Sequence, residues 1–126
     1  MKDLKIENTS KTPKILLTQK GLIEVKGNSL IENTKSFYIE IIDWLKEYIK
    51  TPSEKTVVKF AMDYYNTSSQ MWIFQIFNVL SDLEKLDKNI EFNWYYIDID
   101  LKEAGYDIAH LLDIKINLIE DEKEFL

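Results

Sequence analysis

Apolar positions recur along this chain in two rhythms, one of period two and one near 3.6, and their alternation sets out the elements. Lys14–Ile15–Leu16–Leu17–Thr18 and Leu22–Ile23–Glu24–Val25–Lys26 flank Gln19–Lys20–Gly21, a hairpin signal. Gly27–Asn28–Ser29 is expected to break the second strand, and Leu30–Ile31–Glu32 leads to a helix cap at Asn33 or Thr34. Over 35–50, Phe37, Ile41, Leu45 and Tyr48, with Tyr38, Ile42 and Ile49, make one apolar stripe. Ser36, Glu40, Asp43, Lys46 and Glu47 face water, and Thr51–Pro52–Ser53 ends the helix.

A buried strand over 56–62 follows, then Asp63–Tyr64–Tyr65–Asn66–Thr67–Ser68–Ser69–Gln70, then the most apolar helix of the chain over 68–86. Residues 90–97, rich in β-formers including Trp94, Tyr95 and Tyr96, predict another strand. A third helix over 101–112 is weakened by Gly105, and 114–119 predict a last strand. Residues 1–12 read as a polar tail, with Thr12–Pro13 extended, and 120–126 as an acidic tail. The order β-β-α-β-α-β-α-β predicts one α/β domain over 1–126: a mixed sheet with an N-terminal antiparallel hairpin, parallel pairs and helices packed on it. Ligands and partners of such sheets meet the loops at the carboxyl ends of the strands, and Asn66–Thr67–Ser68–Ser69 is one of these.

No charged residue lies between Asp63 and Asp82. On a helical wheel Ile73, Ile76, Phe77 and Leu80 share the core face, with Trp72, Val79 and Leu83 beside them; Gln75, Asn78, Ser81, Asp82 and Lys85 mark the wet side. Thr67, Met71, Phe74 and Asn78 form a stripe near that wet side. Two readings follow. The stripe is a docking surface, or the helix is covered by a neighbour; equally, Asn-Thr-Ser-Ser is an anion site at a helix start or only its N-cap.

Composition narrows the function. With 126 residues, 45% apolar and 30% charged, the chain is large enough for an ordinary core. A net charge of -6 argues against nucleic acid or anionic membrane as the main partner and favours a protein. There is no cysteine, which excludes disulfides, thiolate metal sites and cysteine nucleophiles. Neither a signal peptide nor a stretch of membrane-spanning length is visible, so a cytoplasmic location is expected, without membrane insertion.

Enzyme chemistry finds little support. The lone His110 could join Thr67 or Ser68 and Asp63 or Asp113 only if distant segments converged, and no Gly-x-Ser-x-Gly elbow exists. Asp98–Ile99–Asp100 with Glu103 lacks the glycine and final glutamate of a calcium loop, so capping by Asp98 or Asp100 accounts for it better. With only Gly21, Gly27 and Gly105 there is no phosphate-cradling loop. No catalytic residue, metal or cofactor is expected.

Three blocks carry a family resemblance: Gly27–Asn28–Ser29 with Glu32–Asn33, Tyr65–Asn66–Thr67–Ser68–Ser69, and Trp94–Tyr95–Tyr96 with Glu103–Ala104–Gly105. In that order, and with Thr12–Pro13 ahead of them, they make the chain similar to the SiaC-type regulatory phosphoproteins of bacterial biofilm control. The resemblance implies a fold like the STAS domains of anti-sigma factor antagonists and a phosphorylation cycle. In that cycle a SiaB-like kinase modifies the threonine of Asn-Thr-Ser-Ser, here Thr67, with Ser68 and Ser69 as second choices. A PP2C-type phosphatase reverses it, and the unmodified form binds and activates a diguanylate cyclase. Taken with the stripe on the second helix, the expected partner surface is Asn66, Thr67, Ser68, Met71, Phe74 and Asn78. One departure stands out: Leu30–Ile31 replace a proline frequent in the family, which implies a less rigid loop.

Overall fold

A computed structural model describes residues 1–121. Its strands are β1 (Leu4–Ile6), β2 (Lys14–Leu17), β3 (Leu22–Ser29), β4 (Thr56–Tyr65), β5 (Ile90–Tyr96) and β6 (Ile116–Glu120). The helices are α1 (Thr34–Tyr48), α2 (Thr67–Lys85) and α3 (Ile99–Leu112). The six strands form one sheet in sequence order, antiparallel from β1 to β3 and parallel from β3 to β6. This is the mixed α/β sheet with an antiparallel edge that the alternation predicts.

Each helix links two neighbouring parallel strands, and all three crossovers step the same way across the sheet. Right-handed connections therefore set all three helices on one face. Strand periodicity agrees: Val58, Phe60 and Met62 are buried under the helices, while Val57, Lys59 and Ala61 between them are half-exposed on the other face. Aromatic packing closes the core. The Trp94 ring stacks on Phe60 at 4.7 Å, lies 5.6 Å from Phe77, and donates Nε1–H to the Leu101 carbonyl at 2.9 Å, which fixes α3 over β5.

Several boundaries differ from expectation. Residues 1–12 are not simply a tail, because Leu4 pairs with Leu17 and Ile6 with Ile15, extending the buried face of the hairpin. Trp44 Nε1–H also donates to the Lys2 carbonyl at 2.7 Å. Gly27 does not end β3: it takes φ +113 at a register shift, after which Asn28 and Ser29 pair with Tyr64 and Tyr65. That pairing also carries β4 beyond Met62. Asp98 caps α3 by accepting from Leu101 N–H at 2.9 Å, so the helix begins at Ile99.

Ser81, expected on the wet side of α2, is fully buried, and its hydroxyl is satisfied by donating to the Asn78 carbonyl at 2.7 Å. Of the expected acidic tail, Glu120 ends β6 and Asp121 N–H bonds to the Tyr96 carbonyl at 2.7 Å; 122–126 lie outside the described residues. No helix among the described residues is long and apolar enough to cross a membrane.

Candidate functional site

β3 and β4 lie side by side in parallel, so the loop after Ser29 and the turn after Tyr65 meet at the carboxyl end of the sheet. Asn66 N–H donates to the Ser29 carbonyl at 3.0 Å, closing that junction. Asn66 then leaves the strand with extended backbone (φ -84, ψ 171) and caps α2, its Oδ1 accepting from Ser69 N–H at 3.0 Å. The same oxygen accepts the Ser69 hydroxyl at 2.6 Å and the Ser68 hydroxyl at 3.1 Å. Its Nδ2 donates to the Ile31 carbonyl at 3.2 Å, and the Ser68 hydroxyl reaches the same carbonyl at 3.1 Å. One asparagine thus ties the helix start to the neighbouring loop.

Beneath it runs a buried chain of hydroxyls. Ser69 Oγ lies 2.7 Å from Ser29 Oγ, which lies 2.6 Å from the Tyr38 phenol on α1. Burial pushes the Tyr38 phenol above its ordinary pKa, against the smaller lowering effect of its hydrogen bonds with Ser29 and Ser69. The phenol is therefore neutral and available as a donor at physiological pH.

The three hydroxyl residues of the motif have different fates. Ser69 is fully buried within this chain, Ser68 is exposed but bonded to Asn66 and Ile31, and Thr67 is exposed. Among the described residues the side-chain hydrogen bonds of the turn run through Asn66, Ser68 and Ser69, and none engages Thr67. As the first residues of α2, Thr67 and Ser68 have N–H groups with no intrahelical acceptor, and no acidic residue occupies the first turn. The field there favours an anion.

Down the helix, Met71 is 58% exposed, Asn78 is exposed, and Phe74 is half-buried, so Met71 and Asn78 remain at the surface. Phe74 turns toward a groove of about 330 Å³ between α2 and α3, lined also by Gln70, Ala104, Ile108 and Leu111 and rimmed by Asp100, Glu103 and Asp107. The helix is covered on its core side and exposed at Thr67, Met71 and Asn78 of the expected stripe, while Phe74 is partly covered by α3. Close to this end of the sheet the Tyr65 phenol is also raised above its ordinary pKa, by burial and then by the Asp98 charge.

Other candidates disperse. His110 stacks on Tyr106 at 6.3 Å and lies eleven residues down α3 from Ile99, roughly 16 Å from the end where Thr67 sits. Asp113 is the left-handed cap of α3 (φ 55), so no triad assembles with Thr67 or Ser68. Among the described residues no cluster of carboxylates or histidine could hold a metal ion. Tyr95 points to the open sheet face, in a hollow with Lys14, Lys26 and Lys59, away from the turn. Ser29, Tyr38 and the Ile31 carbonyl are the residues that sequence reasoning left without a role in the site. Their contacts span up to forty positions, and only folding shows them.

The family described as SiaC family regulatory phosphoprotein matches residues 6–121. An uncharacterized protein of Pseudomonas aeruginosa (strain UCBPP-PA14) is 27% identical over 97 residues, covering 76% of this chain and 77% of that protein. Among solved structures, apo-SiaC from Pseudomonas aeruginosa superposes with a TM-score of 0.83 at 23% identity, covering 97% of this chain and 100% of its own. SiaC of the same organism, crystallised with the diguanylate cyclase SiaD that it activates, gives a TM-score of 0.83 at 21% identity, covering 94% of this chain and 100% of its own. At these identities the structural likeness establishes the fold.

Proposed function

This chain belongs to the SiaC family of regulatory phosphoproteins, and we propose that it acts by binding rather than catalysis, as a switch set by phosphorylation of Thr67. The observation that carries this reading is the position of the Thr67 hydroxyl: exposed, outside the hydrogen-bond network of the turn, and beside unpaired N–H groups at a helix start. A phosphate there adds about -1.5 to -2 charges, which the helix N-terminus accommodates in the free protein. The same charge next to Met71 and Phe74 must lose water when a partner closes over them, so docking weakens.

The partner surface is Asn66, Thr67, Ser68, Met71, Phe74 and Asn78. A diguanylate cyclase is the proposed effector, supported by the SiaD complex of the Pseudomonas aeruginosa relative. A SiaB-like kinase and a PP2C-type phosphatase, working in the cytoplasm, complete the proposed cycle. Ser69 is disfavoured as an acceptor because its hydroxyl is buried and bonded to Asn66.

A second reading is a constitutive STAS-like module that binds a protein or small ligand without modification. It is favoured by the completeness of the Asn66 cap, which needs no phosphate to satisfy it. Peptide mass spectrometry of the protein from its native cells, with and without a PP2C-type phosphatase, separates the two. A phosphatase-sensitive phosphate on Thr67 supports the switch; no modified fraction across several growth conditions leaves the constitutive module.

A further inference from the structure

The two edges of the sheet are built differently. β1 is three residues long with Lys5 at its centre, short and charged, the kind of edge that discourages further pairing. β6 is longer, Ile116–Asn117–Leu118–Ile119–Glu120, and its ladder with β5 is regular throughout. Asp121 N–H bonds to the Tyr96 carbonyl, so the alternation of a parallel ladder turns Asn117 and Ile119 toward β5 as well. The N–H and C=O groups of Ile116, Leu118 and Glu120 therefore aim out of the sheet. Beside them α3 exposes Ile99 and Tyr106, at 62% and 61%. These two and Leu118 line a hollow of about 440 Å³ whose remaining walls are Lys102, Glu103 and Asp107.

We infer that β6 pairs antiparallel with β6 of a second copy of this chain, about a twofold axis at Leu118, joining two sheets edge to edge. The register is chosen by the residues. With the axis at Leu118, Ile116 opposes Glu120 of the second copy and Leu118 opposes its own counterpart, so outward-aimed groups meet outward-aimed groups and each pair exchanges two hydrogen bonds. The flanking pair sets Lys115 opposite Asp121 of the second copy, and the symmetry repeats it at the other end. An axis moved to Asn117 or Ile119 keeps the backbone parity but loses that opposition. The hollow on α3 carries both signs of charge, Lys102 with Glu103 and Asp107, as a surface facing its own copy requires. Pairing brings the two hollows together and covers Ile99 and Tyr106. This surface is separate from Thr67 and holds whether or not the phosphorylation reading does.

The test is the mass of the full chain by light scattering over about 1 to 200 μM. The expected result is a shift toward twice the monomer mass as concentration rises. Lys115→Asp should raise the dimer dissociation constant about tenfold, and adding Asp121→Lys should restore it. Glu120→Pro removes an outward N–H that β5 does not use, and Tyr106→Lys places charge in the joined hollow; each should return the chain to monomer, with circular dichroism unchanged. A monomer throughout the range overturns the inference, as does a dimer indifferent to these substitutions.

Discussion

Ser29 and Ser69, forty positions apart, bring their hydroxyl oxygens within 2.7 Å of each other in the fully buried floor of the turn. The contact couples the end of β3 to the first turn of α2, and through the Tyr38 phenol at 2.6 Å it reaches α1. Removing either serine hydroxyl strips the other of a partner in a place water does not reach. Ser29→Ala and Ser69→Ala should each cost about 1–3 kcal/mol, and the double variant less than their sum. Urea unfolding of the four proteins measures this. Single variants within about 0.5 kcal/mol of wild type would show the hydroxyls to be energetically idle.

Gly105 turns a propensity argument around. In an exposed helix, Gly→Ala stabilises by about 1 kcal/mol. Here a Cβ at position 105 would lie 2.8 Å from Trp94 Cγ and from Leu118 Cδ2, inside the packing of α3 on β5 and β6. Gly105→Ala should therefore destabilise by about 1–3 kcal/mol. A rise in melting temperature would mean the indole and leucine give way freely.

That glycine marks the limit of what the chain shows before it folds. The hairpin of 14–18 and 22–26 is legible from its flanking apolar runs, and helical spacing sets Ile73, Ile76, Phe77 and Leu80 on the core face of α2, because local periodicity is a one-dimensional signal; that Ile15, Leu17, Ile23 and Val25 are the buried side of the hairpin comes from the sheet. The strand at Leu4–Ile6 is not legible in the sequence, since two apolar residues give too short a pattern, and its register comes from Ile15 and Leu17. Asn66 was legible as part of a cap motif, through its link to Ser69 three residues on. Its bond to the Ile31 carbonyl was not, nor was the burial that separates Ser69 from Thr67, because both depend on strands brought together from distant segments. By propensity Gly105 is a weak point in a helix, and only the position of Trp94 makes it a fit.

The Tyr38 phenol gives a pH signature. Its pKa is raised in the folded state by burial, so folding favours the neutral form. A raised folded pKa contributes stability that is fully present below the ordinary value near 10 and is lost as pH rises through the folded value. Wild-type urea midpoints should hold through neutral pH and fall in the alkaline range. In Tyr38→Phe the neutral-pH stability should drop by about 1 kcal/mol with the Ser29 hydrogen bond, while the alkaline fall becomes shallower; Tyr65, raised in the same direction, leaves part of it. Parallel alkaline limbs in the two proteins would remove Tyr38 as a source.

Charge at Thr67 and charge at Ser68 should have different consequences, although the residues are adjacent. A glutamate at 67 meets the helix N-terminus without disturbing a hydrogen bond, so Thr67→Glu should keep or raise stability by about 0.3–1 kcal/mol. A glutamate at 68 also meets the dipole, but it deletes the hydroxyl that donates to the Ile31 carbonyl and sets a carboxylate against that oxygen. Ser68→Glu should thus be about 1 kcal/mol less stable than Thr67→Glu, with faster amide exchange across 30–33. Effector binding, measured by calorimetry with a diguanylate cyclase from the same cells, should fall at least tenfold in Thr67→Glu while its circular dichroism matches wild type. Should Thr67→Glu bind as tightly as wild type, charge at this hydroxyl does not control docking. Were both glutamate variants equally stable, the Ser68 bond to the loop would have no energetic role, and Thr67 would lose its structural advantage as the acceptor.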